Sequence, residues 1–243
     1  MQNFIHLRLH SEFSITDGIL RISDIANNVA TDNMVAVALT DLNNMFGFVK
    51  FYTACLKKGV KPILGAELNV MSADKLDYRI IILAKNNNGF KNLNTLITRA
   101  YTENKVLDSV CLKEEWLLND GLDDVIILSG GLFGDIGQLL AKGRLAEANT
   151  KAEQWQAKFA DNYYIELQRI THNATNLVIK ESVAIASRFG IPVVATHPVQ
   201  FARADDFEAH EVRVCIANGE ALDDERRVAR FSNDQFFHSQ ADM

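Results

Sequence analysis

Cysteine, proline and glycine are all scarce in this 243-residue chain, at 3, 3 and 13 residues. Cys55, Cys111 and Cys215 are odd in number and far apart, which excludes a disulfide framework, points to a reducing compartment and leaves no cysteine pair at metal-ligand spacing. The prolines and glycines are scattered, so no linker or low-complexity tract is visible. Positive charge is short as well: 25 Lys and Arg against 31 Asp and Glu give a net charge of −6 and a pI near 5.5. That balance argues against tight DNA binding by this chain alone. No apolar run approaches the ~20 residues of a membrane-spanning helix. The N-terminal MQNFIHLRLHSEF has no basic leader followed by an apolar stretch, so a cytoplasmic location is expected, with no membrane partner.

What the chain does contain is an ordinary globular composition, 48% hydrophobic and 23% charged, at a length that suits one large domain or two small ones. Short β-branched or apolar runs at 4–9, 35–40, 62–70, 79–84, 125–129, 163–167 and 193–196 read as strands. Between them lie helical periods. In GFKNLNTLITRAY, for example, Phe90, Leu93, Leu96, Ile97, Ala100 and Tyr101 return to one face. Gly59, and Gly190 followed by Pro192, read as helix stops leading directly into strands. Such alternation predicts an α/β fold of parallel strands with right-handed crossovers. A barrel is favoured over a doubly wound dinucleotide fold, because Leu9-His10-Ser11-Glu12 offers no glycine-rich turn after the first strand.

In a barrel of this kind the site is built at the carboxyl ends of the strands. The residues there are His10, Thr40-Asp41, Glu67, Ser129-Gly130-Gly131 and Thr196-His197. A two-residue period places His6, Arg8 and His10 on one face of the first strand, a face that must meet acids, water or ligand.

The blocks HLRLHSEFSITDG, ALTDLNNMFGFVKFY, KPILGAE, LAKNNNGFKNL, LSGGLFGDIG, VVATHPVQF and DFEAHEVRVCIANGEALDD occur in that order. Together they resemble the N-terminal polymerase and histidinol phosphatase (PHP) domain of bacterial replicative DNA polymerase III alpha subunits, across essentially the whole chain. The resemblance implies a distorted seven-stranded (βα)7 barrel over residues 1–243, as the N-terminal part of a much longer chain whose palm, fingers and thumb lie outside it. Active PHP members are similar to trinuclear phosphoesterases, with about nine His, Asp, Glu or Cys ligands at the strand ends.

Carried over position by position, His10, Asp17 and Glu67 remain as ligand types. The other ligand positions hold Arg8, Leu42, Arg79, Gly131, Pro198 and Gln200, so no bound metal is expected. His197 adjoins the lost ligands and is a candidate substitute. Glu166 is read as structural, and His172, His210 and His238 as solvent-facing or locally packed.

Removing the cations from such a site leaves its carboxylates repelling one another, and Arg8 and Arg79 are suited to supply the missing charge. The expectation is a catalytically silent domain that docks the proofreading exonuclease subunit. Through the parent chain it would serve a DNA-directed polymerase that uses Mg²⁺ and works with a sliding clamp, a clamp loader and DNA. The competing expectation is a metal-dependent phosphoesterase or pyrophosphatase with a degenerate site.

Overall fold

The structure, a computed structural model, describes residues 4–73, 76–106, 109–119, 122–224, 226–227 and 230–243. In chain order its elements begin α1 (Ile22–Thr31), β1 (Ala36–Leu39), α2 (Phe48–Lys57), β2 (Lys61–Met71), β3 (Asp77–Ala84) and α3 (Asn87–Glu103). The short strands β4 (Lys105–Val106), β5 (Ser109–Val110) and β6 (Leu112–Lys113) follow, then α4 (Glu114–Leu118), β7 (Val125–Leu128) and α5 (Asp135–Ala141). The chain continues through α6 (Leu145–Phe159), β8 (Tyr163–Leu167), α7 (Thr175–Phe189), β9 (Val193–Ala195) and α8 (Phe207–Asn218). This is a mixed α/β fold on a seven-stranded hydrogen-bonded path, β1-β2-β3-β7-β8-β9 with β6 pairing β2.

The chain divides into two compact units, one formed by residues up to 64 with 197–243, the other by 65–196. Within the first, α1 buries Ile22, Ile25, Ala26 and Val29, the stripe that a 3.6-residue period presents on one side. They join Leu9, Leu20, Val37, Leu39, Phe51, Cys55 and Val199 in a continuous core. Residues 61–64 of β2 pair in parallel with β1.

Within the second unit, residues 65–71 of β2 pair antiparallel with β3, and β3 pairs antiparallel with β7. The expectation of parallel strands throughout is corrected here. Among the strand ladders of the described residues, only β1-β2, β2-β6, β7-β8 and β8-β9 are parallel. The link from Met71 to Asp77 is too short for a crossover, which needs a dozen or more residues, so β3 must turn back.

The first expected strand, 4–9, is also corrected, since it forms an isolated bridge rather than a ladder: Leu9 pairs with Val199, and just beyond the segment Ser11 pairs with Leu20. The expected helix stops are in place. Gly59 has φ +72° just past α2, and Gly190, at φ +65°, ends α7. On α3, Leu93, Leu96 and Ala100 are buried, while Tyr101 lies at the exposed edge of the stripe.

The second unit carries a buried carboxyl that makes its stability depend on pH. Asp135 is fully buried, accepting from Trp155 Nε1 at 2.8 Å and from Ile136 N at 2.7 Å, and the Trp155 ring stacks on Tyr163. Burial pushes Asp135 up to about 6 from 3.8, against those two hydrogen bonds. A carboxyl raised in the folded state stabilises fully below its unfolded pKa, and that contribution is lost as pH rises through about 6. Asp135→Asn is therefore expected to gain stability relative to the parent between pH 4 and pH 7, by about 2 kcal/mol. Urea unfolding of both proteins at the two pH values measures this difference, and any pH-independent cost of the amide cancels from it.

Candidate functional site

In the first unit, residues 6–10 run extended beside β1, where Ala38 N donates to His6 O at 2.8 Å and Thr40 N to Leu9 O at 3.0 Å. His6, Arg8 and His10 are all buried, Arg8 with only 1% of its surface exposed. Arg8 therefore does not point to solvent. His10 Nδ1 donates to Asp17 Oδ1 at 2.8 Å, so two of the retained ligand positions bond to each other. The Asp17 carbonyl in turn accepts from His210 Nε2, on α8, at 2.9 Å. His210 is fully buried, and burial holds it below the usual imidazole range.

Asp41 follows β1, and sequence reading gave it no role beyond its place at a strand end. Its carboxylate accepts from Ser11 N at 2.6 Å, Ser11 Oγ at 2.9 Å and Ser14 Oγ at 3.0 Å. Burial raises its pKa while those three donors oppose the shift. The arrangement pins the loop that carries Asp17. Leu42 contributes only backbone there, its N–H donating to Ser14 Oγ at 3.0 Å.

Pro198 and Gln200 are buried on the segment beside Leu9. His197 is buried among rings, its centroid 4.4 Å from His238 and 6.5 Å from His6. Burial lowers both His6 and His197 to about 4, so both are neutral imidazoles at neutral pH. His238 is partly buried and stacked on Phe236, whereas His172 is exposed.

In the second unit the geometry begins with the β2-β3 hairpin. Arg79 stands opposite Asn69, two positions along the same face from Glu67. Its Nη1 reaches Glu67 Oε1 at 3.1 Å; the glutamate is fully buried and the arginine 28% exposed. A guanidinium thus occupies a lone pair that a cation would need.

Beyond β7, Gly130 and Gly131 both adopt left-handed backbone, with φ +80° and +55°. Gly130 N donates to Glu166 Oε2 at 2.6 Å. Glu166 Oε1 accepts from Thr196 Oγ1 at 2.6 Å and from Gln168 Nε2 at 3.2 Å. Glu166 is therefore a buried acceptor fixing the ends of β7, β8 and β9. A side chain at Gly131 would place its Cβ 2.3 Å from Gln168 Oε1. Gln168 fills the space that a ligand at position 131 would need, a relation between residues 37 positions apart that no local pattern discloses.

Taken chemically, the buried carboxylates each meet protein donors: Asp17 an imidazole, Asp41 hydroxyls and an amide, Glu67 a guanidinium and Glu166 neutral donors. The residues present do not fit a multinuclear metal centre, whose ions each take four to six ligands. Among the described residues, no group of three His, Cys, Asp or Glu is placed to hold a metal ion. Also among them, no helix is long and apolar enough to cross a membrane.

Comparison with known proteins matches residues 6–170 to the PHP domain. DNA polymerase III subunit alpha of Pseudomonas aeruginosa is 39% identical over 99% of this chain, that of Neisseria meningitidis serogroup B 41% over 96%, and that of Escherichia coli 38% over 99%. The chain spans about a fifth (21%) of the length of these curated relatives. Among solved structures, an amidohydrolase from Chromobacterium violaceum superposes with a TM-score of 0.59 at 14% identity, over 87% of this chain and 97% of that one. That likeness concerns the fold alone.

Proposed function

The chain belongs to the PHP domain family, and we propose that it is the N-terminal PHP domain of a DNA polymerase III alpha subunit that has lost its metal chemistry and persists as a scaffold. One observation carries this reading: Glu67, a ligand of the family pattern, is fully buried and ion-paired with Arg79, which stands where that pattern has a histidine. A cation held by a carboxylate has been replaced by one built into the chain, which needs no metal and activates no water.

The experiment is elemental analysis of the purified protein together with a phosphoesterase assay supplemented with Mn²⁺ or Zn²⁺. The expected result is less than one metal per chain and no turnover above buffer. Two or more tightly held metals, with activity lost in His10→Ala, would establish the degenerate phosphoesterase instead.

For the parent polypeptide we propose DNA-directed DNA synthesis with Mg²⁺ at a site outside these residues, in company with a clamp, a clamp loader and DNA. This domain's share in that work is to dock the proofreading exonuclease subunit, holding it at high effective concentration near the primer end. The acidic balance supports a protein partner over direct phosphate contact. Titration calorimetry of this chain against the exonuclease of the same organism is expected to give saturable binding. Absence of heat and of co-elution at tens of micromolar, with both proteins folded, would leave the domain as a brace for the polymerase only.

A further inference from the structure

Helix α2 is divided into sectors around its axis. Phe51 and Cys55 point into the core. Val49, Tyr52 and Leu56 fall within about 60° of one another on a different side at 100° per residue, and they are 62%, 46% and 54% exposed. Phe46, just before the helix, is 61% exposed. Large apolar side chains scattered singly on a surface need no explanation, but four gathered at one helix and its entry mark an interaction site.

The charge along this segment is one-sided. Between residues 42 and 66 the chain carries Lys50, Lys57, Lys58 and Lys61 and no Asp or Glu, although the protein as a whole is acidic. Lys50 and Lys57 flank the apolar stripe on α2; Lys50 reaches Glu12 at 3.0 Å, and Lys57, Lys58 and Lys61 are exposed.

We propose that this face docks an acidic amphipathic helix of a protein partner, its apolar residues seated on Phe46, Val49, Tyr52 and Leu56 and its carboxylates against the lysine flank. Anchors recurring every three to four residues match the spacing of helix-to-helix recognition. The lysines add charge complementarity that steers encounter and rejects a basic partner. The inference deepens the docking role proposed above by assigning it a surface, and it rests on that role.

The test uses the isotopically labelled 243-residue chain in solution. It is titrated with a synthetic helical peptide bearing leucine at i, i+3 and i+7 with glutamate on both flanks. The same peptide with lysine for glutamate, vesicles containing phosphatidylglycerol and a thymidine 15-mer serve as comparisons. Saturable amide shifts confined to residues 46–61, with the acidic peptide only and weakening with salt, are the expected result. Tyr52→Glu/Leu56→Glu should weaken that binding by roughly tenfold or more, and Lys57→Glu/Lys58→Glu should flatten its salt dependence.

Shifts elsewhere, equal binding of the lysine peptide, or preference for vesicles or oligonucleotide would overturn the proposal. Concentration-dependent self-association removed by Leu56→Glu would also overturn it, by making a second copy the occupant. Exonuclease binding that survives Tyr52→Glu/Leu56→Glu would remove this surface while leaving the docking role intact. Loss of exonuclease binding to the parent chain would remove the role itself.

Discussion

Arg8→Ala is expected to lower the unfolding free energy by roughly 3–5 kcal/mol, the cost of stripping one member from a buried charged arrangement. Arg8 has only 1% of its surface exposed, and a buried cation keeps its charge only where acceptors meet it. Its alkyl stem is buried as well, so part of any loss would come from packing. Arg8→Met separates the two, because it retains most of the stem and removes only the charge and donors. A charge-substituting role predicts that Arg8→Met remains strongly destabilised and recovers part of the loss below pH 4, where carboxylates are neutral. Urea unfolding curves for the parent and both variants measure this. A midpoint for Arg8→Met equal to that of the parent would show that Arg8 serves as packing alone.

The second large effect concerns rebuilding the ligand set. Gly131→His, which restores the residue type of the family pattern, is expected to destabilise the chain by roughly 2–5 kcal/mol and to bind no metal. About 1–2 kcal/mol of that comes from forcing a side chain into left-handed backbone, since φ here is +55°. A further ~1–3 kcal/mol comes from overpacking against Gln168, whose amide is held by Glu166 and Thr196. Adding Gln168→Ala should recover the overpacking part and leave the backbone part. Thermal unfolding of the single and double variants separates them. A stable Gly131→His that takes up zinc would show that the site is merely missing ligands and has not been refilled.

These two positions illustrate how much of the molecule could be read in advance. The strands after the first lie where β-branched runs placed them, because strand formation responds to residues within a short window and to their alternation. Gly59 and Gly190 end their helices for an equally local reason, the left-handed backbone that glycine adopts without a Cβ clash. The reversal at β3 follows from the short Met71-to-Asp77 link, which interrupts the alternation of strand and helix and leaves no length for a crossover. The 4–9 segment had a strand's period without a ladder, since a ladder depends on partners that local sequence does not supply.

For the site, the sequence named its candidates through its resemblance to the PHP family: Arg8, His10, Asp17, Leu42, Glu67, Arg79, Gly131, Pro198 and Gln200 are the family's ligand positions carried over one by one. It could also say that arginine cannot ligate a metal. Tertiary structure decided which acid each donor meets. Arg79 reaches Glu67 because the hairpin register sets them on one face, His10 reaches Asp17 across a loop pinned by Asp41, and Gln168 reaches the space at Gly131 across 37 residues. Residue type fixes charge and hydrogen-bonding capacity locally, whereas the partner that satisfies a buried charge is set by long-range packing. A spacing along the chain therefore carries the first kind of information and not the second.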